Sequence, residues 1–136
     1  MANSVTLRKL SEGPRHLVVK ADFIIDTTAE ITDSVFVDPR GSGTCDPVPI
    51  LQAGATLTVE EIWASLQGMS VLLEFDGTGD QPIYLLSDSC AGEIDFRSFG
   101  GIKDTSSTPT GKILLTTAGA TAALDGGTII LKLRKS

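Results

Sequence analysis

Histidine, cysteine and aromatic residues are scarce in this chain, and each scarcity removes a class of function. The single histidine, His16, would have to serve any Ser-His-Asp or Cys-His machinery. It stands beside Gly13-Pro14 at the start of an apolar run, next to Arg15, which reads as a strand end with nothing to activate it. A catalytic zinc site ordinarily takes two or three histidines. The two cysteines, Cys45 and Cys90, are too few for a disulfide framework and belong to no CxxC or Cys/His cluster. They are expected to be reduced and structural, with a disulfide open to them only in an oxidising setting. Trp63 and Tyr84 are the only residues of their kinds, a poor supply for an aromatic sugar platform. No apolar run approaches the roughly 18 residues of a membrane span. The opening "MANSVTLRKLSEG" has no apolar h-region. The expectation is a protein made in the cytoplasm that stays there until released.

What is present is ordinary globular material. The 136 residues suffice for one domain and one core, with 41% apolar and 21% charged residues. Net charge is −6, which argues against a nucleic-acid binder. The distribution says more than the total. Residues 1–20 carry Arg8, Lys9, Arg15 and Lys20 against Glu12, and the tail carries Lys132, Arg134 and Lys135. Residues 21–131 hold four basic and sixteen acidic residues. An acidic body with basic ends fits solvated strand ends. It also fits termini that meet an acidic partner surface, which makes Arg8, Lys9, Arg15, Lys132, Arg134 and Lys135 candidate partner contacts.

The texture along the chain is β. "SVTLRKL", "HLVVKADFII", "DSVFVD", "PIYLLSD", "GEIDFRSF", "GKILLTTAG" and "GTIILKLRK" are short apolar runs separated by Gly, Asp, Ser, Thr and Pro. That spacing predicts an antiparallel, jelly-roll-like β-sandwich of roughly eight to nine strands in one domain, 1–136. A Pro/Gly-rich loop spans 39–54, and the terminal strands can extend as arms. "TLTVEEIWASL" is ambiguous. Val59, Ile62, Trp63 and Leu66 fit helical spacing, and Thr58 with Glu61 fits a capping box. A hairpin of 57–66 with 69–75 explains that segment and the next together, so strands are preferred. In "LDGGTIILKLRK", Asp125-Gly126-Gly127 reads as a turn, with Ile129, Leu131 and Leu133 facing the core.

"LLEFDGTGDQPIYLL" places Asp76, Thr78 and Asp80 at alternate positions, as an oxygen cage for a cation would. An EF-hand loop also wants a glycine at its sixth position and a glutamate at its twelfth. Here Gln81 and Ser87 stand there, so Asp76 and Asp80 are at most a loose metal site. The simpler reading is a hairpin apex, with Leu73, Phe75, Ile83 and Leu85 as core positions. Glu74 with Asp76, or Glu93 with Asp95, have the same-face spacing of a carboxylate pair, but wet strand faces carry such pairs without chemistry. No phosphate-binding or nucleophile-elbow motif is present, and no cofactor is expected. In "EIDFRSFGGIKD", Phe96 and Phe99 flank a bend at Gly100-Gly101. Core packing is the preferred reading, an exposed aromatic anchor the alternative, and Arg97 can pair with Asp95 or Asp104.

Taken in order, "TLRKLSEGPRHLVVKADF", "LLEFDGTGDQPIYLLSD", "DFRSFGGIKD", "TGKILLTTAG" and "GTIILKLRK" resemble small virion proteins of tailed bacteriophages, over nearly the whole chain. The resemblance implies a non-enzymatic structural protein of the decoration or cement type on the capsid surface. It implies the major capsid protein and a homotrimer of this chain as partners, with neither nucleic acid nor membrane bound. Head-to-tail or tail components are similar enough to be the alternative, and a lectin-like ligand-binding sandwich is a second. "SVTLRKL" and "IILKLRK" are the segments expected to add a strand to a neighbour's sheet edge, although edge lysines also serve to prevent pairing.

Overall fold

The computed structural model describes residues 4–25, 31–32, 34–48, 51, 57–77, 80–87, 91–104, 111–119 and 125–135. Among them the chain forms nine strands: β1 (Ser4–Glu12), β2 (His16–Ile25), β3 (Ser34–Val37), β4 (Leu57–Gln67), β5 (Ser70–Phe75), β6 (Gln81–Leu86), β7 (Ala91–Asp95), β8 (Ile113–Ala118) and β9 (Asp125–Lys135). A single 3₁₀ turn, Arg97–Phe99, follows β7. The protein is all-β. One sheet has the order β1-β2-β9-β4-β7, the other β3-β8-β5-β6, and every neighbouring pair is antiparallel.

Strand period explains which residues are inside. In β2, Leu17, Val19, Ala21, Phe23 and Ile25 are buried while His16, Val18, Lys20 and Asp22 alternate with them. In β9, Ile129, Leu131 and Leu133 are buried as their alternation predicts. From the other sheet, Val71, Leu73, Phe75, Ile113 and Leu115 join the same core cluster. The two apolar faces therefore close over one core, as a sandwich requires.

The pairing is nested. β2 bonds to β9, β3 to β8, β4 to β7 and β5 to β6. This is the order of one long hairpin folded over on itself, with its apex between β5 and β6. The stretch around Asp76 and Asp80 is thus the apex of the whole wrapping as well as of one hairpin.

Four expectations are corrected here. Residues 57–67 are a strand, but β4 and β5 do not pair with each other. Gly68, at φ 78°, turns the chain out of one sheet and into the other. Asp125, Gly126 and Gly127 are not a turn but the first residues of β9, opposite Ile25, Ile24 and Phe23. Side chains there would collide with the Phe23 carbonyl at Gly126 and the Ser65 carbonyl at Gly127, so glycine reports crowding between flanking strands. The "IILKLRK" segment is no sheet edge, because β9 lies between β2 and β4. Finally, Leu85 is exposed. A bulge between Leu73 and Glu74 sets Ile83 as an extra residue on β6, which breaks the alternation and buries Leu86 in place of Leu85.

Gly126→Ala is expected to lower stability by about 2 kcal/mol, because the neighbouring backbone cannot retreat without breaking its ladder. The midpoint of denaturant unfolding reads this out. Gly13→Ala, where a Cβ meets nothing, is the control and leaves the midpoint nearly unchanged.

Candidate interaction site

A bulge in β4 organises the most unusual surface of the molecule. Val59 pairs with Leu133 and Glu61 with Lys132, so Glu60 is the extra residue. The kink sets two consecutive glutamates on the outer face of the sheet, between the core-facing Val59 and Ile62, and the side chains over them leave both buried. Burying carboxylates is costly unless cations and donors meet them. Arg134 Nη1 donates to Glu60 Oε2 at 3.2 Å, and His16 Nε2 stands 3.1 Å from Glu60 Oε1. The imidazole contact lacks hydrogen-bond alignment, and Oε1 has no hydrogen-bond donor among the described residues. Arg97 Nε lies 3.1 Å from Glu61 Oε1, and Lys132 Nζ 3.8 Å from the same oxygen. Burial raises the Glu61 pKa, with Asp95 and Glu93 pushing the same way against Arg97 and Lys132.

These ions pin the segment after β7. The Arg97 guanidinium also bonds Asp95 through Nη2 at 2.9 Å, and the Arg97 N–H donates to Asp95 Oδ1 at 2.8 Å. Those hydrogen bonds hold the Asp95 carboxyl down at about 2. Arg134 Nη2 donates to the Gly100 carbonyl at 3.1 Å, and the Phe96 N–H to the Glu60 carbonyl at 2.8 Å. Val59 and Ile102 form a two-bond bridge at 2.9 and 2.8 Å. Gly100 and Gly101 take φ of 89° and 87°, which side-chain-bearing residues adopt only under strain.

The result is a fixed aromatic ledge. Phe96 is buried, 5% exposed, and its ring meets Tyr84 of β6 at 5.7 Å and Phe99 at 6.0 Å, both tilted. Gln81 Nε2 donates to the Lys103 carbonyl at 3.0 Å and ties the same two edges together. Phe99 is 66% exposed and Tyr84 is 37% exposed. Core packing is therefore correct for Phe96 and wrong for Phe99. The 3₁₀ turn rotates Phe99 outward at the spacing that suggested a shared core. Exposed apolar surface held in one shape is what interaction sites commonly display.

Other candidate residues fall elsewhere. The Asp76 N–H donates to the Lys112 carbonyl at 2.9 Å, and Asp80 Oδ1 accepts from the Gly77 N–H at 3.4 Å. Residues 78 and 79 lie outside the described residues, and among the described ones no group of three or more His, Cys, Asp or Glu gathers as metal ligands. Cys45 is free and buried, with its thiol pKa raised by desolvation, and Cys90 lies outside the described residues. Among the described residues no helix is long and apolar enough to cross a membrane.

The basic ends are mostly engaged at home. Glu12 accepts from Lys9 Nζ and Lys135 Nζ, each at 2.7 Å, and from the Val48 N–H at 2.6 Å. Lys132 and Arg134 serve Glu61 and Glu60. Arg8 and Arg15 are exposed, and no ion pair holds either among the described residues. The buried Glu60-Glu61 pair escaped the sequence reading. Its one signal was two adjacent acids inside an apolar strand, which a strict period of two cannot place on one face.

Comparison with protein-family models, curated proteins and solved structures finds no match.

Glu12 yields a pH prediction. Desolvation favours its neutral form, but the bonds from Lys135, Lys9 and Val48 outweigh this and hold its pKa at about 2, below the ordinary 4.5. A depressed carboxylate pKa stabilises the fold above the unfolded value, and that stability is lost as pH falls from about 4.5 towards 2. Thermal melts across this range should show a steep acid limb. In Glu12→Gln the limb should be shallower, and stability at pH 7 lower by about 2 kcal/mol.

Proposed function

We propose that this chain is a non-enzymatic virion structural protein of a tailed bacteriophage, a decoration protein seated on the outer surface of the head. The observation that carries the reading is the ledge of Phe99 and Tyr84 braced on Phe96, apolar surface displayed at a pinned corner of a β-sandwich. "DFRSFGGIKD", one of the phrases that carry the resemblance to virion proteins, is the segment that builds it. The nested strand pairing supports the same reading, since a hairpin rolled over its own length is the wrapping of a jelly roll, and jelly rolls recur in viral capsid domains. The partner is the major capsid protein, and a cement protein acts by burying surface across neighbouring capsomers. A homotrimer presents three ledges at once, so that modest contacts add through multivalency.

Co-sedimentation of the purified protein with heads lacking it tests the proposal. Saturable binding in proportion to capsomer number is expected. Binding confined to one small ring per particle favours the neck or tail reading instead, and no binding to any virion part rejects both. Phe99→Ser should weaken head binding at least about tenfold, as loss of an anchor does. Its unfolding midpoint should stay within about 0.5 kcal/mol of the parent, because the side chain is exposed. Undiminished binding would remove the ledge from the contact.

A further inference from the structure

The five-stranded sheet ends in two unlike edges. Among the described residues β1 bonds only to β2, and β7 only to β4. Each edge leaves a row of backbone donors and acceptors unpaired, which is a template for another strand. Following the register across the outer face, Arg8 lies opposite Lys20, Lys20 opposite Ile130, Ile130 opposite Trp63 and Trp63 opposite Glu93. One transverse row thus begins with a cation and ends with an anion. Arg8 and Glu93 are both exposed, and no ion pair holds either among the described residues.

We infer that copies of this chain join edge to edge, with Ser4–Arg8 of one copy adding to β7 of the next. The directions are set by the sheet. With four antiparallel steps between them, β1 and β7 run the same way, so a contact that keeps the core face of both copies on one side pairs them in parallel. Outward-facing Thr6 and Arg8 then meet Glu93 and Asp95. Inward-facing Val5 and Leu7, already packed against the core, meet Ile94, which is packed there too. The alternatives are disfavoured by charge. A twofold contact of β7 with itself crowds the acids Glu93 and Asp95 of both copies together, and one of β1 with itself does the same to Arg8.

The usable part of β1 is also delimited. Its register shifts between Lys9 and Ser11, and Lys9 turns inward to Glu12. A bulge and an inward charge are devices that blunt an edge. Here they spare Ser4–Arg8, about the five-residue length of Ala91–Asp95. The contact is heterologous, so it closes into a ring when the rotation between copies is a whole fraction of a turn. Three as the number of copies rests on the proposed function, whereas the edge contact rests on the sheet alone.

Light-scattering mass over a dilution series, with no capsid present, tests the contact independently of the virion reading. The parent protein is expected to self-associate. Arg8→Glu and Glu93→Lys alone should each weaken association about tenfold, as attraction at the edge becomes repulsion. An equimolar mixture of the two variants should form heterodimers and larger alternating assemblies, because both mixed junctions are complementary: unchanged Arg8 meets unchanged Glu93 at one, and the two substituted residues meet with opposite charge at the other. The double variant should recover the parental association. Circular dichroism on every variant keeps folding separate from association. A parent that stays monomeric throughout overturns the inference, as do folded variants that associate like the parent or a mixture that forms no heterodimer.

Discussion

The pairing of β9 between β2 and β4 is the constraint on which the rest of the structure depends. β9 is the last strand of the chain, yet it is bonded along its length on both sides. His16 lies opposite Arg134 and Leu57 opposite Lys135, so the N-terminal hairpin and the middle of the chain are sewn together through it. Without β9, the β1-β2 pair and the β4-β7 pair have no common sheet, and Leu17, Val19 and Ile62 lose the wall formed by Ile129, Leu131 and Leu133. The residues it joins to β2 lie a hundred or more positions away, so loop closure precedes the gain in contacts. Sandwiches dominated by such pairings fold on the slow side of two-state domains.

The same strand decides what the basic tail does. Lys132 and Arg134 project from the outer face of β9 onto the glutamates buried by the β4 bulge. Lys135 reaches Glu12, which also takes Lys9 and the Val48 N–H. These cations offset the desolvation of Glu12, Glu60 and Glu61, each of which is worse unpaired than absent. Charge that looks like a partner-seeking terminus is thereby spent on internal closure. Arg8 and Arg15, outside these clusters, are the basic residues left to face outward near the ends.

The strands were legible because burial on one face writes a period of two. β2 keeps that period over its full length and β9 from Ile129 to Arg134, and the apex at 76–80 was marked by its glycines and Pro82. Sheet membership was not legible. A turn at Gly68 that crosses between sheets has the same composition as one that closes a hairpin. Nor were the bulges, since one extra residue reverses every orientation beyond it. Leu85 therefore looked like core, as Phe99 did for want of any sign of the 3₁₀ turn, and the strand's period held no sign that Glu60 and Glu61 are buried. What separates these cases is non-local: Arg97, Arg134 and His16 come from three different segments to meet two adjacent acids. The clash of a side chain at Gly126 with the Phe23 carbonyl is equally remote in sequence.

The exposed features that remain lie next to one another. Among the described residues β7 is a free edge, and the chain leaves it directly into Phe96, the 3₁₀ turn and Phe99. Arg97 belongs to both, since it clamps Asp95 at the end of β7 and Glu61 beneath it while opening the turn that presents Phe99. If copies add along β7, each contact sets one copy's aromatic ledge close to the next copy's β1. The ledges then repeat around the assembly at a spacing fixed by sheet geometry rather than by flexible loops. Rigid, repeated apolar anchors lose little entropy on binding a repeated surface, which is the condition for multivalent attachment to a lattice. The buried glutamates, unfavourable in isolation, acquire a role in this light. They provide the fixed negative points against which Arg97 and Arg134 hold an otherwise glycine-rich segment in one shape.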